Sequence, residues 1–381
     1  MEYPVDRLVR LAKRDNNPKR PYLYVNPLQG KHIPTDPEDA IGLCHSVAEA
    51  VNAAYPDDLL YVIGFAETAT GIAACITSFL DRAVYYENTT REPNGGKCIL
   101  FSEAHSHATD QLLRAEGIEK ALESVDRILF IDDEVTTGNT ICNLIGLIRD
   151  GYRAEGLRFS IVSLLNSMPE ERIAELKEQG IDCLFLSRIP FEYKKDSILD
   201  VRFNPELHLS ALGGGGTVKA GKTYICPVNP RYPVPFRDYM TAVRDYAEVI
   251  RASLPDGRGC PDSVLVLGTE EFMYPTFVVG EMIRQQGYAK EVRIHSTSRS
   301  PIVASDREGY PLYRRYQLRS PYDPERTTFV YNLRPYDRVF VLTEAGADSA
   351  GTGDVIRALE MAGNHDISLV RWQYAENEDT V

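Results

Sequence analysis

The chain has 381 residues, of which 43% are hydrophobic and 25% are charged, and its formal net charge is −13. This length is more than one compact core usually holds and predicts two domains, while the composition is ordinary for a globular protein. The acidic balance argues against broad binding to nucleic acids or anionic membranes, and no apolar stretch is long enough to span a membrane.

The cysteines and the N-terminal sequence indicate the compartment. Seven cysteines are scattered along the chain without close pairs, so neither a disulfide framework nor a zinc site is predicted. The N-terminal residues "MEYPVDRLVRLAKRD" are charged and lack the apolar core of a signal peptide. Both features are typical of a protein of the reduced cytoplasm.

The first elements are a lead, a helix and a strand-loop-helix unit. Residues 1–37 are rich in Pro and Asn, with basic residues and little periodicity, and a helix is predicted over 37–54 with Pro in its first turn. The segment "LLYVIGFAETATGIAACITSFL" then predicts a buried strand, a turn at Gly64 and a helix. Its loop contains no lysine. Taken alone, the segment also fits a Thr-capped helix after a tight turn.

The next segment, residues 84–117, combines a turn with basic and imidazole side chains. The turn signal is "EPNGGK", and the candidate residues are Arg91, Lys97, Glu103, His105 and His107. His105 and His107 would share one face of a strand, so they could be a pair of metal ligands or polar side chains on the surface. No third ligand at suitable spacing supports the metal.

Residues 127–145, "RILFIDDEVTTGNTICNLI", form the most informative stretch. Residues 128–131 are continuously apolar and predict a strand buried on both faces of a parallel sheet, while apolar residues at helical spacing over 141–148 predict a helix that stops near Gly151. The loop between them would lie at the carboxyl edge of an open α/β sheet, where backbone N–H groups at a helix start bind phosphate. Asp132 and Asp133 suit sugar hydroxyls or hydrated Mg²⁺.

The joint between the two halves contains a P-loop-like string, "GTVKAGKT", over residues 216–223. A P-loop follows a buried strand and opens a helix. Here a Gly-rich stretch precedes the string and a Pro-rich extended segment follows it, so a linker or ligand-contacting loop is favoured over an NTPase site.

The second half repeats the first. Residues 264–287 again predict strand, glycine turn and helix, "VRIHSTSRSP" aligns with "VYYENTTREP", and "DRVFVLTEAGADSAGTG" aligns with "DRILFIDDEVTTGNT". These matches indicate duplication of one α/β lobe, although two doubly wound sheets can also resemble each other by chance. Thr343 and Glu344 replace the Asp pair, and a Tyr- and Arg-rich insert covers residues 304–333. The second lobe is therefore expected either to bind a second ligand or to have a purely structural role.

The segment "IDDEVTTGNT" resembles the motif with which type I phosphoribosyltransferases bind phosphoribosyl pyrophosphate (PRPP). The resemblance implies that Asp132 and Asp133, with Glu134 in the same motif, hold the ribose 2′- and 3′-hydroxyls, directly or through Mg²⁺ and its waters. The residues implied to hold the 5′-phosphate are Thr136, Thr137, Gly138, Asn139 and Thr140. Thr136 stands where purine-salvage members of the family carry an Asp that accepts a proton. In this respect the chain is closer to the orotate enzyme.

The same resemblance implies roles for the other segments. The positions that match the family's pyrophosphate loop are Glu67, Thr68, Ala69, Thr70 and Gly71. Arg91, Lys97 and His105 lie where family members close a mobile loop over the leaving pyrophosphate. Lys31 and His32 lie in a lead that forms a hood over the acceptor base in relatives.

Nearly the whole chain resembles the orotate-phosphoribosyltransferase-like family with a carboxy-terminal TRSP domain, which is encoded with bacterial tellurite-resistance and stress-response clusters. The TRSP letters read "TSRSP" here, over residues 297–301. The implied fold is α/β, with two doubly wound, mostly parallel sheets, both type I phosphoribosyltransferase-like and the second divergent. The predicted domains are a PRPP-binding domain over 1–208 with a hood-like lead over 1–37, a Gly/Pro-rich linker over 209–235 and a TRSP-like domain over 236–381.

The implied activity is transfer of 5-phosphoribose from PRPP to a small nitrogenous acceptor, with Mg²⁺ as cofactor and release of pyrophosphate, in synthesis of a nucleotide or nucleoside-like metabolite. Binding without turnover, as a PRPP- or nucleotide-sensing regulator, is the alternative. Neither nucleic acid nor membrane is an expected partner. Family members are often homodimers, although two lobes in one chain could mimic a dimer.

Overall fold

The computed structural model describes residues 3–375 apart from 16, 18–19, 93–94, 102–110, 153, 155, 191–192, 214–219, 255–259 and 347. The helices are α1 (Val5–Leu8), α2 (Pro37–Ala54), α3 (Thr70–Thr77), α4 (Ala115–Ser124), α5 (Asn139–Tyr152), α6 (Glu170–Glu178), α7 (Phe236–Arg251), α8 (Tyr274–Gln285) and α9 (Ala350–Met361). The predicted helix over 37–54 is thus confirmed, and α5 continues through Gly151 instead of stopping there. None of the helices in the described part of the chain is long and apolar enough to cross a membrane.

The strands alternate with these helices for most of the chain. They are β1 (Arg10–Lys13), β2 (Tyr22–Val25), β3 (Leu60–Gly64), β4 (Ala83–Asn88), β5 (Cys98–Phe101), β6 (Gln111–Arg114), β7 (Arg127–Val135), β8 (Arg158–Asn166), β9 (Ile181–Arg188), β10 (His208–Ser210), β11 (Ala220–Cys226), β12 (Val234–Pro235), β13 (Ser263–Gly268), β14 (Glu291–Ser296), β15 (Arg315–Arg319), β16 (Thr327–Tyr331), β17 (Arg338–Thr343) and β18 (Ile367–Tyr374).

The chain forms two compact units. Unit 1 comprises Met1–Val5, Gly42–Tyr193 and Val228–Thr241, and unit 2 comprises Asp6–Ile41, Lys194–Pro227 and Ala242–Val381. These units divide the chain differently from the predicted domains, since most of the lead belongs to unit 2. The predicted linker is also not a free connection, since it supplies β10 and β11 to sheets of unit 2 and β12 to the sheet of unit 1.

Unit 1 is built on a six-stranded sheet with the order β12-β4-β3-β7-β8-β9, in which only β12 runs antiparallel to its neighbour. The centre of the sheet is apolar because helices cover both faces, and Ile128, Leu129, Phe130 and Ile131 of β7 are fully buried. The chain runs from β3 outward to β4 and then returns to β7. The strand order therefore reverses between β3 and β7, which makes this the topological switch point.

Unit 2 contains a five-stranded parallel sheet with the order β11-β18-β17-β13-β14. Its strands β14, β13, β17 and β18 repeat the order of β4, β3, β7 and β8 in unit 1. The register repeats as well, because Gly64 pairs with Asn88 and Ile131, and Gly268 pairs with Ser296 and Leu342. The prediction of two doubly wound, mostly parallel sheets is confirmed.

The aligned segments of the two halves both begin with Asp-Arg, as Asp126-Arg127 and Asp337-Arg338, and these residues lie at the amino ends of β7 and β17. In unit 1, Arg127 donates to Asp58 (2.7 Å), Asp182 (2.9 Å) and Ser160 (2.7 Å). In unit 2, Arg338 donates to Asp366 (2.9 Å) and, at 3.1 Å, to Ser368. This pair therefore holds neighbouring strands together, far from the carboxyl edge.

Candidate active site

The switch point of unit 1 lies between the loops that follow β3 and β7. The backbone N–H of Phe65 donates to the carbonyl of Ile131 at 2.9 Å, so the two strands stay paired to the point where β3 ends. Strand β7 continues to Val135 because it remains paired with β8 as far as Asn166. Residues 132–134 therefore project past the end of β3 into the crevice where ligands of doubly wound sheets bind.

Two adjacent carboxylates occupy this projecting part of β7. Asp132 and Asp133 are both half-buried, and the N–H of Asp133 donates to Oδ1 of Asp132 at 2.9 Å. Burial, followed by the negative charge of Asp133, raises the pKa of Asp132 well above its usual range. A cation or a set of hydroxyl donors at this position would offset that cost.

The loop after β7 has the shape of a phosphate cradle. Gly138 adopts φ +70°, which favours glycine, and α5 begins at the next residue. The first N–H groups of α5 have no carbonyl partner within the helix, so they face the loop at the positive end of the helix dipole. Thr136, Asn139 and Thr140 are half-buried, whereas Thr137 is exposed and its Oγ1 accepts from the N–H of Asn139 at 3.3 Å.

The loop after β3 is compact and largely buried. Glu67, Ala69, Thr70 and Gly71 are buried and Thr68 is half-buried, while the peptide bond between Ala66 and Glu67 is cis. The hydroxyl of Thr70 donates to the carbonyl of Glu67 at 3.3 Å. The turn begins at Gly64, where a Cβ would lie 2.7 Å from Ala73 Cβ and 2.8 Å from Asn88 Oδ1. Only glycine allows this approach.

The predicted basic residues differ in their surroundings. Arg91 is half-buried and follows Thr90, which pairs with Leu112 next to the β5–β6 hairpin. Lys97 is exposed, where it pairs with Glu119 at 3.3 Å. A hydrogen bond from Lys97 to Glu119 raises the pKa of the lysine. His105, Glu103 and His107 lie outside the described residues.

Lys31 and His32, which lie in the predicted hood-like lead, belong to unit 2. Lys31 is fully buried, and its Nζ donates to the carbonyl of Glu270 at 2.7 Å. His32 Nε2 lies 3.1 Å from Ser298 Oγ. Both side chains contact the carboxyl edge of the second sheet.

Two further residues beside the loop after β3, Thr89 and Gln111, were not among the predicted site residues. Thr89 is fully buried, and its Oγ1 accepts from the N–H of Ala66 and donates to Gln111 Oε1, both at 2.8 Å. The alignment of "VYYENTTREP" with "VRIHSTSRSP" contained the signal, because Thr89 and Thr297 occupy the same position in the two repeats.

The equivalent edge of unit 2 contains paired charges. Glu270 and Glu271 occupy the positions of Ala66 and Glu67, and Arg299 bonds to both, at 2.5 Å and 3.2 Å respectively. Arg326, from the loop between β15 and β16, also pairs with Glu270, at 3.2 Å. The same carboxylate accepts from the hydroxyl of Ser320. A protein carboxylate thus occupies the loop that would receive an anion in unit 1.

The loop between β15 and β16 packs on the start of α9. A Cβ at Gly351 would overlap the backbone of Ser320, and Arg319 makes two bonds of 2.7 Å to the buried Asp354. Of the residues that replace the Asp pair, Thr343 accepts a hydrogen bond from Thr269 at 2.9 Å, and Glu344 accepts one from Tyr374. The polar groups of this edge are therefore bonded to one another.

Mg²⁺ fits the carboxylates of unit 1. Among the described residues, no three His, Cys, Asp or Glu side chains are grouped to hold a metal ion by themselves. Mg²⁺ is usually bound by one or two carboxylates together with substrate oxygens and water. Asp132 and Asp133 provide such a pair, and a cation there would offset the burial and the negative charge of Asp133 that raise the pKa of Asp132.

One buried acid near the site predicts a pH effect. Glu87, next to Asn88 on β4, is fully buried, and burial raises its pKa well above its usual range, although interaction with the Tyr61 hydroxyl and the charge of Arg114 lower it. Between the unfolded and folded pKa values the folded chain keeps a proton that the unfolded chain has released, so stability falls as pH rises. Each pH unit in this window is worth about 1.4 kcal/mol.

We therefore expect Glu87→Gln to stabilise unit 1, with a gain that increases as pH rises above about 4.5. Urea midpoints of the variant and the parent protein at pH 5, 6 and 7 measure this gain. Glu123→Gln, at an exposed acid of the adjacent α4, is the control and should show only a small difference in urea midpoint. A gain for Glu87→Gln that stays constant with pH would contradict the expectation.

Two family models match the chain. A phosphoribosyl transferase family matches residues 8–188, and the TRSP domain found C-terminal to it matches residues 236–359. No curated protein shows significant sequence similarity to this chain.

Solved structures match with low identity. Adenine phosphoribosyltransferase from Giardia lamblia is 13% identical over 48% of this chain and 95% of its own, with a TM-score of 0.35. The enzyme from Leishmania donovani is 17% identical over 48% and 76%, with a TM-score of 0.34. A hypoxanthine phosphoribosyltransferase from Staphylococcus aureus is 13% identical over 44% and 81%, with a TM-score of 0.26. These identities and TM-scores are too low to assign the substrate of any of these enzymes to this chain.

Proposed function

The chain belongs to the phosphoribosyl transferases that carry a C-terminal TRSP domain, and from this we propose that unit 1 transfers 5-phosphoribose from PRPP to a small nitrogenous acceptor. The observation that carries the proposal is the position of Asp132, Asp133 and the loop over 136–140 at the switch point of the sheet. We propose that the product serves synthesis of a nucleotide or nucleoside-like metabolite in the cytoplasm.

In the proposed reaction, a nitrogen lone pair of the acceptor attacks C1′ of PRPP while the bond from C1′ to the pyrophosphate oxygen breaks. Pyrophosphate leaves with the bonding electrons, and the proton of the acceptor nitrogen passes to solvent. Positive charge develops on the ribose ring, so the enzyme acts mainly by positioning and by electrostatic compensation. Thr136 offers no carboxylate as a proton acceptor in this loop.

Each part of unit 1 receives one part of PRPP in this proposal. The backbone N–H groups of residues 136–140 hold the 5′-phosphate, and Asp132 and Asp133 orient the ribose through its 2′- and 3′-hydroxyls. The loop over 67–71 receives the pyrophosphate, and Arg91, Lys97 and His105 compensate its charge. Mg²⁺, held by the two aspartates and substrate oxygens, would neutralise the leaving group.

³¹P NMR tests the proposal directly. The protein is incubated with PRPP, Mg²⁺ and a pool of candidate bases, and the spectrum is followed for pyrophosphate and a new ribose phosphate. Their joint appearance with one base supports transfer and identifies the acceptor. If PRPP stays intact but raises the unfolding temperature, the chain binds PRPP without turning it over on these bases, as a sensor or with an acceptor outside the pool. The absence of both effects would refute PRPP binding altogether.

We expect one PRPP site per chain. In unit 2, Glu270 stands where unit 1 has Ala66 and would repel pyrophosphate from the loop after β13, and Arg299 and Arg326 already pair with this carboxylate. Isothermal titration calorimetry with Mg²⁺–PRPP measures the stoichiometry. Two equivalent sites per chain would contradict this expectation.

A further inference from the structure

We propose that Thr89 is a positioning residue of the pyrophosphate site, whose hydroxyl keeps the loop after β3 in the form that receives the leaving group. This inference rests on the proposed function. Thr89 follows the last residue of β4, so it lies beside the end of β3 in the sheet. Its side chain is fully buried and contacts the loop at Ala66. The family resemblance assigned no role to Thr89.

The hydroxyl of Thr89 makes two directional bonds. It accepts from the N–H of Ala66 and donates to Oε1 of Gln111, each at 2.8 Å. The N–H of Thr89 also donates to the carbonyl of Gly64 at 2.9 Å, so its backbone and side chain bond to both sides of the turn. A hydroxyl has a single hydrogen to donate, so the bond to Gln111 determines which lone pairs face Ala66.

These bonds connect the turn with the β5–β6 hairpin. Gln111 is the first residue of β6 and is 3% exposed. Removal of the hydroxyl would leave the buried N–H of Ala66 without this acceptor, and a buried donor without a partner is costly. The loop would be expected to shift until Ala66 finds another acceptor, which would move the backbone that faces pyrophosphate.

The second repeat preserves the same bond with a different loop. In unit 2, the N–H of Thr297 donates to the carbonyl of Gly268 at 3.1 Å, and its Oγ1 accepts from the N–H of Glu270 at 2.9 Å. The loop residues differ, but the Thr and its two contacts are the same. Glu270 in this loop already pairs with Arg299. Thr297 therefore makes the same bonds as Thr89 in a loop that is not expected to bind pyrophosphate, and it provides a matched control.

Calorimetric titration of the full chain with two separate probes tests the inference. Mg²⁺–pyrophosphate reports on the loop after β3, and ribose 5-phosphate reports on the cradle over 136–140. Thr89→Val removes the hydroxyl at nearly constant volume. We expect it to weaken pyrophosphate binding by about tenfold and to change ribose 5-phosphate binding by less than about twofold. Thr89→Ser should restore pyrophosphate binding, and Thr297→Val should bind both probes like the parent protein.

The outcomes distinguish this inference from the function on which it rests. A parent protein that binds neither probe would overturn the proposed function and the inference with it. If the parent binds both, equal pyrophosphate binding by Thr89→Val overturns only the inference. Equal weakening of both probes would do the same, because it indicates general loss of structure. If Thr89→Val does not fold, Gln111→Leu takes its place and should weaken pyrophosphate binding alone, by about threefold.

Discussion

Replacement of both Asp132 and Asp133 by asparagine is expected to lower PRPP-dependent transfer by about 100- to 1,000-fold. The two side chains keep their size, but the negative charges that would hold Mg²⁺ and orient the ribose disappear. Stability should not fall, because burial and the neighbouring charge already raise the pKa of Asp132, so loss of that charge removes a cost. Pyrophosphate release, measured by ³¹P NMR with the base that supports transfer in the pool experiment, gives the change in rate.

The second repeat provides the control for this experiment. Thr343→Val with Glu344→Gln alters the two residues of unit 2 that occupy the same positions. These changes should leave the rate of transfer unchanged if catalysis belongs to unit 1 alone. Equal losses in the two double variants would show that unit 2 takes part, and an unaffected Asp132→Asn/Asp133→Asn protein would refute the proposed site.

The second large effect is expected at the opposite end of the same strand. Arg127→Ala should lower the free energy of unfolding of unit 1 by about 3–5 kcal/mol, because the buried carboxylate of Asp58 loses its buried partner and keeps the exposed Arg158. The guanidinium of Arg127 also lies 3.8 Å from the ring centroid of Tyr55, so cation–π contact is lost as well. Urea unfolding followed by circular dichroism measures the loss.

Arg338→Ala is the matched variant in unit 2. Its side chain and that of Asp366 are 19% and 28% exposed, compared with 6% and 9% for Arg127 and Asp58, so a smaller loss of about 1 kcal/mol is expected. The single tryptophan, Trp372, is buried in unit 2, and its fluorescence reports on that unit. A loss for Arg338→Ala as large as that for Arg127→Ala would contradict the argument from burial.

Thr89 and Glu270 show where reasoning from sequence stops. The alignment of the repeats pairs Thr89 with Thr297 but does not show the bond to Ala66, because that bond depends on how two loops approach across the sheet. Glu270 and Glu271 stand in the sequence as two adjacent acids. In the structure Arg299 and Arg326 neutralise them, and these residues are distant in the chain.

The sequence by itself determined the features that depend on neighbouring residues. Strands buried on both faces must be apolar runs, and a helix that starts after a Gly-containing loop exposes N–H groups. These local rules identified the core of both sheets, the motif over 132–140 and the internal repeat. The family resemblance then supplied the expected chemistry, and the matches to both domains agree with it.

Only the tertiary structure decided how distant segments combine. Residues 220–226 contain the end of the P-loop-like string, yet they form an edge strand paired with β18, and the lead contributes Lys31 to the edge of unit 2. A strand pairs through backbone groups that every residue possesses, so its partner cannot be read from its own side chains. For the same reason, the division of this chain between its two units emerged from long-range pairing and packing.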